Sequence, residues 1–571
     1  AQDAARQPTL DAKASYSGIR APTSVAPAPL GGRYSAIKYL SLGFNHDFDL
    51  WGGERAAWEA ALGQANAARI DSQAARIGLS ASIARAYSDL AHAFTVRDLA
   101  EEELKRSQRM TELSQKRMSA GLDSKVQLQQ TQTQLATARQ QLSAAEQGIA
   151  YMTPIIVLGT FGILAETTQG HVPAAYIAAS LAMLFTALSY GRMAAAFPVA
   201  GSAYTYVRKA IDSRLGFIAG WAVLLDYLFL PMAIWLIGAA YLHSAFPAVP
   251  NAVWVLAFIC VTTTINIVGL RLAKNVNGLL MLVQFLVLGA FVALCVHYVL
   301  GDPGKPLWSL QPLLGGDLQV PLVMSGAAIA CYSFLGFDAV STLTEETRDP
   351  RRNIPRAILL ITLLGGLIFI VTSYFVQLAH PSFAFDSADS AAYEIARNIG
   401  GDLFVTFFLV GLIVGQFTSG LSAQASASRL LFAMGRDGVL PRPFFGRLGK
   451  RFETPVNSIV LCGVVALLAL QMDVTTSTSF INFGAFLAFS LVNLSVVFHY
   501  YLGAERRGPR ETLLFLVFPG IGLVADLWLM ASLDHLAIIL GLCWLALGAV
   551  YLAAITHGFR EQPPEMRFEE G

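Results

Sequence analysis

The chain has 571 residues, of which 54% are hydrophobic and 14% charged. Soluble domains carry about 25% charged residues, so an ordinary soluble protein is excluded. Net charge is +1, which excludes a nucleic-acid partner recruited by bulk charge.

The charge is uneven: 32 of residues 1–147 are charged, against 47 of residues 148–571. The first part is built for water and the second for lipid. The five cysteines (Cys260, Cys295, Cys331, Cys462, Cys543) lie in apolar stretches with no CxxC or Cys/His spacing. They read as small buried hydrophobes, and neither a metal nor a cofactor is expected. No glycine-rich nucleotide loop occurs, so ATP-driven work by this chain alone is not expected. Ala1-Gln2-Asp3 opens without the basic and apolar pattern of a signal peptide.

In chain order, Leu10 to Arg20 reads as a strand, followed by a proline-rich connection over 22–32. Residues 34–49 alternate, with Leu40, Leu42, Phe44 and Phe48 on one side, the pattern of a half-buried strand. After Trp51-Gly52-Gly53 a helical stretch continues to about Ala120, breaks at Gly121-Leu122-Asp123-Ser124, and resumes from Lys125 to Gln147. Two long helices around a tight turn predict a coiled-coil hairpin. The segment FDLWGGERAAWEAALGQ, and Arg117 with SAGLDS, resemble the outer-membrane efflux factors of tripartite pumps, TolC-like proteins. The second segment resembles the helix-tip turn that docks an adaptor. The likeness covers one strand pair and one helical hairpin, and too few strands to close a barrel.

From Gly148 onward the sequence offers apolar runs near 148–166, 172–197, 214–243, 250–270, 275–299 and 321–343. Six more lie near 355–380, 401–431, 455–472, 479–502, 511–531 and 535–556. Each is long enough for the roughly 20 residues that cross a bilayer, which predicts an all-α protein with twelve membrane spans. The loops on one side hold 21 Lys/Arg, and the opposite loops hold only Lys305 and Arg397. Positive loops stay in the cytoplasm, so both ends of the membrane unit are expected there. Two architectures fit twelve spans: two six-helix halves, or a five-plus-five inverted repeat with two extra helices. Breaks at Gly159-Thr160-Phe161-Gly162 in the first span and Tyr332-Ser333-Phe334-Leu335-Gly336-Phe337-Asp338 in the sixth point to the repeat, with a binding site at mid-membrane. Close helix packing is the other use of such glycines.

The segments GIAYMTPIIVLGTFGI, SYGRMAAAFPVAGSAYTYVRKAI, GWAVLLDYLFLP, CYSFLGFDAVSTLTEETRDPRRNIPRAI, ASRLLFAMGRDGVLPRPFFG and INFGAFLAFSLVNLSVV occur in this order. Residues 148–571 thereby resemble the amino acid–polyamine–organocation permeases, and within them the putrescine-importer type. The resemblance implies a five-plus-five (LeuT-like) fold with discontinuous helices one and six. It also implies proton-coupled import of a small cationic or zwitterionic amine across a bacterial inner membrane, with the lipid bilayer as the other partner and no enzymatic activity. The permease unit is expected over 148–557, with a tail over 558–571.

A dication needs carboxylates and aromatic faces. Asp338 follows the sixth-span break, where many members of the resembled family carry an acid near the substrate, and Tyr332, Phe334 and Phe337 are candidate aromatic walls. Asp226 lies mid-span between Trp221 and Tyr227, ahead of Pro231. Substrate-binding candidates are therefore Gly159, Thr160, Phe161, Gly162, Asp226, Tyr227, Tyr332, Ser333, Phe334, Gly336, Phe337 and Asp338. Proton-coupling candidates are Asp226, Asp338 and Glu166. Each acid has a plainer reading: a cap at a helix break for Asp338, a tie to a neighbouring helix for Asp226, a solvated loop acid for Glu166. Glu345 and Glu346 beside Arg351 and Arg352 read either as a gate of exchanging ion pairs or as surface pairs of small energy.

Two positions depart from the resembled type. Gly159 stands where such an importer can carry an acid, which leaves room for an amino acid as substrate. Gln284 stands where many amino-acid permeases have a lysine in place of a sodium ion. The two parts of the chain also imply opposite compartments, since the loop charges place residue 147 in the cytoplasm. A fusion or truncation scar at Gln147-Gly148 is expected, with residues 1–147 an appendage. The rival reading makes residues 1–147 an efflux-type docking module for an adaptor, fused to a membrane anchor, or the whole a non-functional chimera.

Overall fold

A computed structural model describes residues 9–20, 34–45, 102–120, 154–198, 201–268, 274–302, 306–315, 318–338, 340–341, 350–449, 454–503 and 508–564, with scattered positions between 122 and 134. The chain divides into two units, Ala1–Leu90 and Ala91–Gly571, each taken by itself.

In the first unit β1 (Thr9–Arg20) and β2 (Tyr34–Asn45) pair antiparallel, from Thr9 opposite Asn45 to Arg20 opposite Tyr34. The sequence alternation expects Leu40 on a half-buried face, yet Leu40 is 74% exposed. A two-stranded ribbon has no second layer of its own to bury a face. The expected side of Phe48 and the expected helix over 54–101 lie outside the described residues.

In the second unit a helix runs over 102–119. Its end is closed by the Leu122 N–H donating to the Arg117 carbonyl at 2.8 Å, so the chain turns where Gly121 to Ser124 predicts. The Thr111 hydroxyl reaches the Thr131 carbonyl at 3.1 Å, and Leu104 and Leu128 are buried. The described part of the second helix thus lies against the first. Most of 125–147 is outside the described residues.

The apolar part follows as α1 (Ile156–Gly159), α2 (Phe161–Thr168), α3 (Val172–Ala196), α4 (Ser202–Ala210), α5 (Ser213–Ala245), α6 (Asn251–Val268) and α7 (Lys274–Leu300). After these come α8 (Val320–Ala330), α9 (Pro350–Ala379), α10 (Ala391–Arg436), α11 (Val456–Ala466), α12 (Val474–Val496), α13 (Phe518–Ala531) and α14 (His535–Ile555). Among the described residues nine helices are long and apolar enough to cross a membrane, and Val320–Phe334 and Val456–Leu470 are shorter apolar helices. Acidic side chains sit at helix starts, where free N–H groups need acceptors. Asp212 accepts from Arg214 N–H at 2.7 Å, Asp473 from Thr476 N–H at 2.7 Å, and Asp534 from Leu536 N–H at 3.0 Å.

Burial sorts the helices into a centre and a periphery. Of the most apolar stretch of each, 83% is buried in α5 and 78% around α12, against 17% in α14 and 22% in α6 and around α13. The apolar residues exposed on the peripheral helices, such as Leu256, Ile539 and Val550, are those a bilayer covers. Within the centre, α3 packs along α9 and α8, and α5 along α10 and α12.

Both interruptions are present, and each differs from its sequence reading. The first is one residue wide: helix continues through Gly159, Thr160 leaves it at φ −115° and ψ 2°, and helix resumes at Phe161. Gly162 is helical, and its role is proximity. A Cβ there would lie 2.3 Å from both the Ala388 carbonyl oxygen and the Ala391 methyl. The second is wider. α8 stops at Ala330, a tight turn covers Cys331–Phe334, Leu335 is extended, and Gly336 has φ 100°. The expected eighth run lies inside α10, which is itself divided at Gly401, where φ is 68°.

Candidate functional site

An interrupted helix frees carbonyls that must find donors in a medium without water. At the first break the Tyr241 hydroxyl of α5 donates to the Leu158 carbonyl at 2.7 Å. At the second the Asn482 amide of α12 donates to the Ala328 carbonyl at 2.7 Å and reaches Ile329 at 3.5 Å. Tyr176 of α3 joins the two. Its hydroxyl shares a hydrogen bond of 3.1 Å with Ser333 of the second break, and Thr160 of the first lies near it.

Around this joint the structure gathers buried acids and aromatic rings. Asp226 on α5 is 8% exposed and Asp338 beyond the second break is 6% exposed, and their charges act on one another. The Asp226 charge also acts on Tyr332. Asp226 Oδ1 and the Tyr332 hydroxyl are buried without hydrogen-bond partners. Pro231, one turn further along α5, lacks the N–H that would bond the Tyr227 carbonyl. A buried carboxyl oxygen with a vacant acceptor position, as on Asp226, is suited to an ammonium donor.

The aromatic wall differs in part from its sequence reading. Phe337 meets Tyr190 at 5.5 Å and Phe489 at 5.2 Å between ring centroids, and Tyr190 meets Phe489 at 5.7 Å and Tyr206 at 6.1 Å. Tyr190 also feels the charges of Asp338, Asp526 and Asp226. Phe334 points elsewhere, onto Phe369 at 5.2 Å. Tyr227 is half-buried on α5. Phe161 is fully buried. Gly159 lies beside the side chains of Ile237 and Gln416.

The remaining candidates fall apart from this group. Glu166 is exposed near the end of α2, where its charge and that of Asp473 act on Asp389. Arg351 and Arg352 are exposed in the first turn of α9. Glu345 and Glu346 lie outside the described residues.

Several residues enter that the sequence reading leaves out. Gln416 of α10 is fully buried with neither amide atom partnered. Gln284 of α7, which the sequence marks only as a departure from a lysine, is buried against Gly415 with its oxygen unpartnered. Asp526 of α13 is fully buried, and its Oδ2 accepts from Thr186 at 3.0 Å and Asn493 at 2.9 Å. An acid inside an apolar run is itself a signal, and Asp526 carries it as Asp226 does.

A family model described as "Amino acid permease" matches residues 147–519, and one described as "Outer membrane efflux protein" matches residues 1–150. The low-affinity putrescine importer PlaP of Escherichia coli (strain K12) is 40% identical over 423 residues, covering 73% of this chain and 93% of the relative. The branched-chain amino acid permease BcaP of Bacillus subtilis (strain 168) is 28% identical, covering 69% of this chain and 88% of the relative. The cationic amino acid transporter 4 of Mus musculus is 28% identical, covering 59% and 55%.

Proposed function

The chain belongs to the amino acid permease family, and we propose that it imports a small amine, of the putrescine type, across a bacterial inner membrane by proton symport. It is a transporter and not an enzyme. In this reading residues 148–557 form twelve crossings with a five-plus-five repeat, and the loop arginines keep both ends of that unit in the cytoplasm. The first crossing is α1 with α2, and the sixth is α8 with the segment beyond its break.

The observation that carries the reading is the buried pair Asp226 and Asp338 beside the interrupted segment, within an aromatic surround. Asp226 Oδ1 and the Tyr332 hydroxyl take the ammonium groups, and the faces of Tyr190 and Phe337 add cation–π attraction. A proton on one of the two acids is exchanged as substrate enters. Glu166 is exposed, and an acid already in water gains little by exchanging its proton with substrate. The 40% identity to a putrescine importer supports the diamine over an amino acid.

Uptake of labelled putrescine and labelled amino acids into membrane vesicles, with and without a protonophore, tests this. Putrescine accumulation that collapses with the pH gradient is the expected result. Accumulation of an amino acid alone would overturn the diamine, and accumulation indifferent to the protonophore would overturn the symport.

The match of residues 1–150 to outer membrane efflux proteins favours a second reading for that part alone, a docking module for an efflux adaptor. Deleting residues 1–147 separates the two. Unchanged uptake leaves transport to residues 148–557, whereas loss of uptake in a folded protein assigns the first part a role in it.

A further inference from the structure

The loop that follows α10 is built around a cavity unrelated to the buried acids. Gly438 turns the chain back at φ 80°, and the Leu440 N–H donates to the Met434 carbonyl at 3.0 Å. Gly435 lies so close to the returning segment that a Cβ there would be 2.4 Å from that of Phe445. The loop is pinned from outside as well. The Tyr551 hydroxyl of α14 donates to the Val439 carbonyl at 2.6 Å, and the Asn457 amide of α11 to the Phe444 carbonyl at 2.9 Å.

The fold so fixed leaves a shallow, open surface cavity of about 450 Å³ lined by Arg436, Arg442, Pro443, Gly446 and Arg447. Arg436 pairs with Asp437 at 2.9 Å. Arg442 spends its Nε on the Arg436 carbonyl at 2.9 Å, which holds its guanidinium in place with the terminal nitrogens available. Among the described residues no carboxylate lies within ion-pair distance of Arg442 or Arg447, and both are exposed. Arg442 and Arg447 thus bring to the cavity two guanidinium charges that no described carboxylate offsets, and the cavity favours an anion. Planar guanidinium forks match the oxygens of a phosphate.

The surroundings identify which phosphate. The loop starts at the end of a membrane helix, and Phe444 and Leu448, 46% and 49% exposed, alternate with the arginines along the chain. A soluble anion has no use for that apolar rim, whereas a lipid places its glycerol and chains there. We propose that this cavity binds the phosphate of an anionic phospholipid headgroup. Basic pockets at the cytoplasmic ends of membrane helices hold such headgroups, and the loop is on the arginine-rich side of the chain.

The test uses the full chain purified in mild detergent, with phosphatidylglycerol or phosphatidylcholine added. Native mass spectrometry counts bound lipid, and the thermal midpoint is read in parallel. Phosphatidylglycerol is expected to stay bound and raise the midpoint by several degrees, and phosphatidylcholine to do neither. The R442Q/R447Q double variant is expected to lose at least tenfold of the bound phosphatidylglycerol. R397Q, which removes an exposed arginine elsewhere, is the charge control and is expected to bind as wild type. Should the double variant fail to fold, R447Q alone is read the same way, with a threefold or greater loss expected. Equal retention by these variants, an equal loss in R397Q, or protection of the wild type by inorganic phosphate as strong as that by the lipid would each overturn the proposal.

Discussion

The indoles of Trp221 on α5 and Trp544 on α14 each donate to the other's backbone carbonyl, both at 2.9 Å, with ring centroids 5.0 Å apart. Gly548 makes room for this, since a Cβ there would lie 2.4 Å from the Trp221 ring. The clasp attaches the least buried apolar helix to the most buried one. Trp544→Phe keeps the ring and loses one bond, so it is expected to destabilise by about 1 kcal/mol, the usual net worth of a hydrogen bond. Gly548→Val forces the rings apart and is expected to cost more, in the range of about 1–3 kcal/mol for an overpacked core. Thermal unfolding in detergent measures both, and an unchanged midpoint for Gly548→Val would mean that the two helices do not meet here.

The carboxyl of Asp526 ties three helices through Thr186 and Asn493. Asp526→Ala takes the acceptor from the Thr186 hydroxyl and leaves the Asn493 amide only its 3.0 Å bond to Thr186, at about 1–3 kcal/mol for the stranded donor. Asp526→Asn retains an oxygen in place. Folded yield and thermal midpoint are expected to fall in the order wild type, Asn, Ala. Equal loss in both variants would show that charge, and not the geometry of the oxygen, matters at this position.

Asp226→Asn and Asp338→Asn each remove a charge from the buried pair. Each is expected to reduce putrescine uptake about tenfold or more, the size of one charge-assisted hydrogen bond of about 1.5–3 kcal/mol. Glu166→Gln, on an exposed residue, is expected to stay within about twofold, since a solvated charge is screened. Initial uptake rates at equal protein in the membrane decide this, and a large effect at Glu166 with none at Asp226 would reverse the assignment.

Two glycines fail for opposite reasons. Gly162→Ala meets the Ala388 carbonyl at 2.3 Å and is expected to impair packing of α2. Gly401→Ala meets nothing within 4 Å but sits at φ 68° and ψ −171°, a region open essentially to glycine, at about 1–3 kcal/mol. Enlarging a neighbour-free site further is harmless, so Gly401→Ser is expected to match Gly401→Ala in thermal midpoint. Gly162→Ser is expected to be worse than Gly162→Ala.

Of the twelve expected runs, nine are helices long and apolar enough to cross a membrane among the described residues, legible because lipid imposes a length and a composition that few other environments require. The interruptions were legible in place but not in form. Glycines near residue 160 suggested an unwound centre, while the backbone departs only at Thr160 and Gly162 serves a neighbour far along the chain. Asp226 and Asp338 announced themselves as acids in apolar surroundings. Their companions did not, because Tyr190 and Phe489 are ordinary aromatic residues until the fold stacks them on Phe337. The same holds for Asn493 and Thr186, which lie 33 and 340 residues from Asp526, beyond any local pattern. Phe334 and Phe337 look alike in sequence, and only the turn at Gly336 sends them to different neighbours.

The Tyr176 hydroxyl reaches Ser333 of the second discontinuity, and Thr160 of the first lies near it. One phenol of α3 thus stands where the two discontinuities meet, and Tyr176→Phe is expected to disturb both half-helices at once.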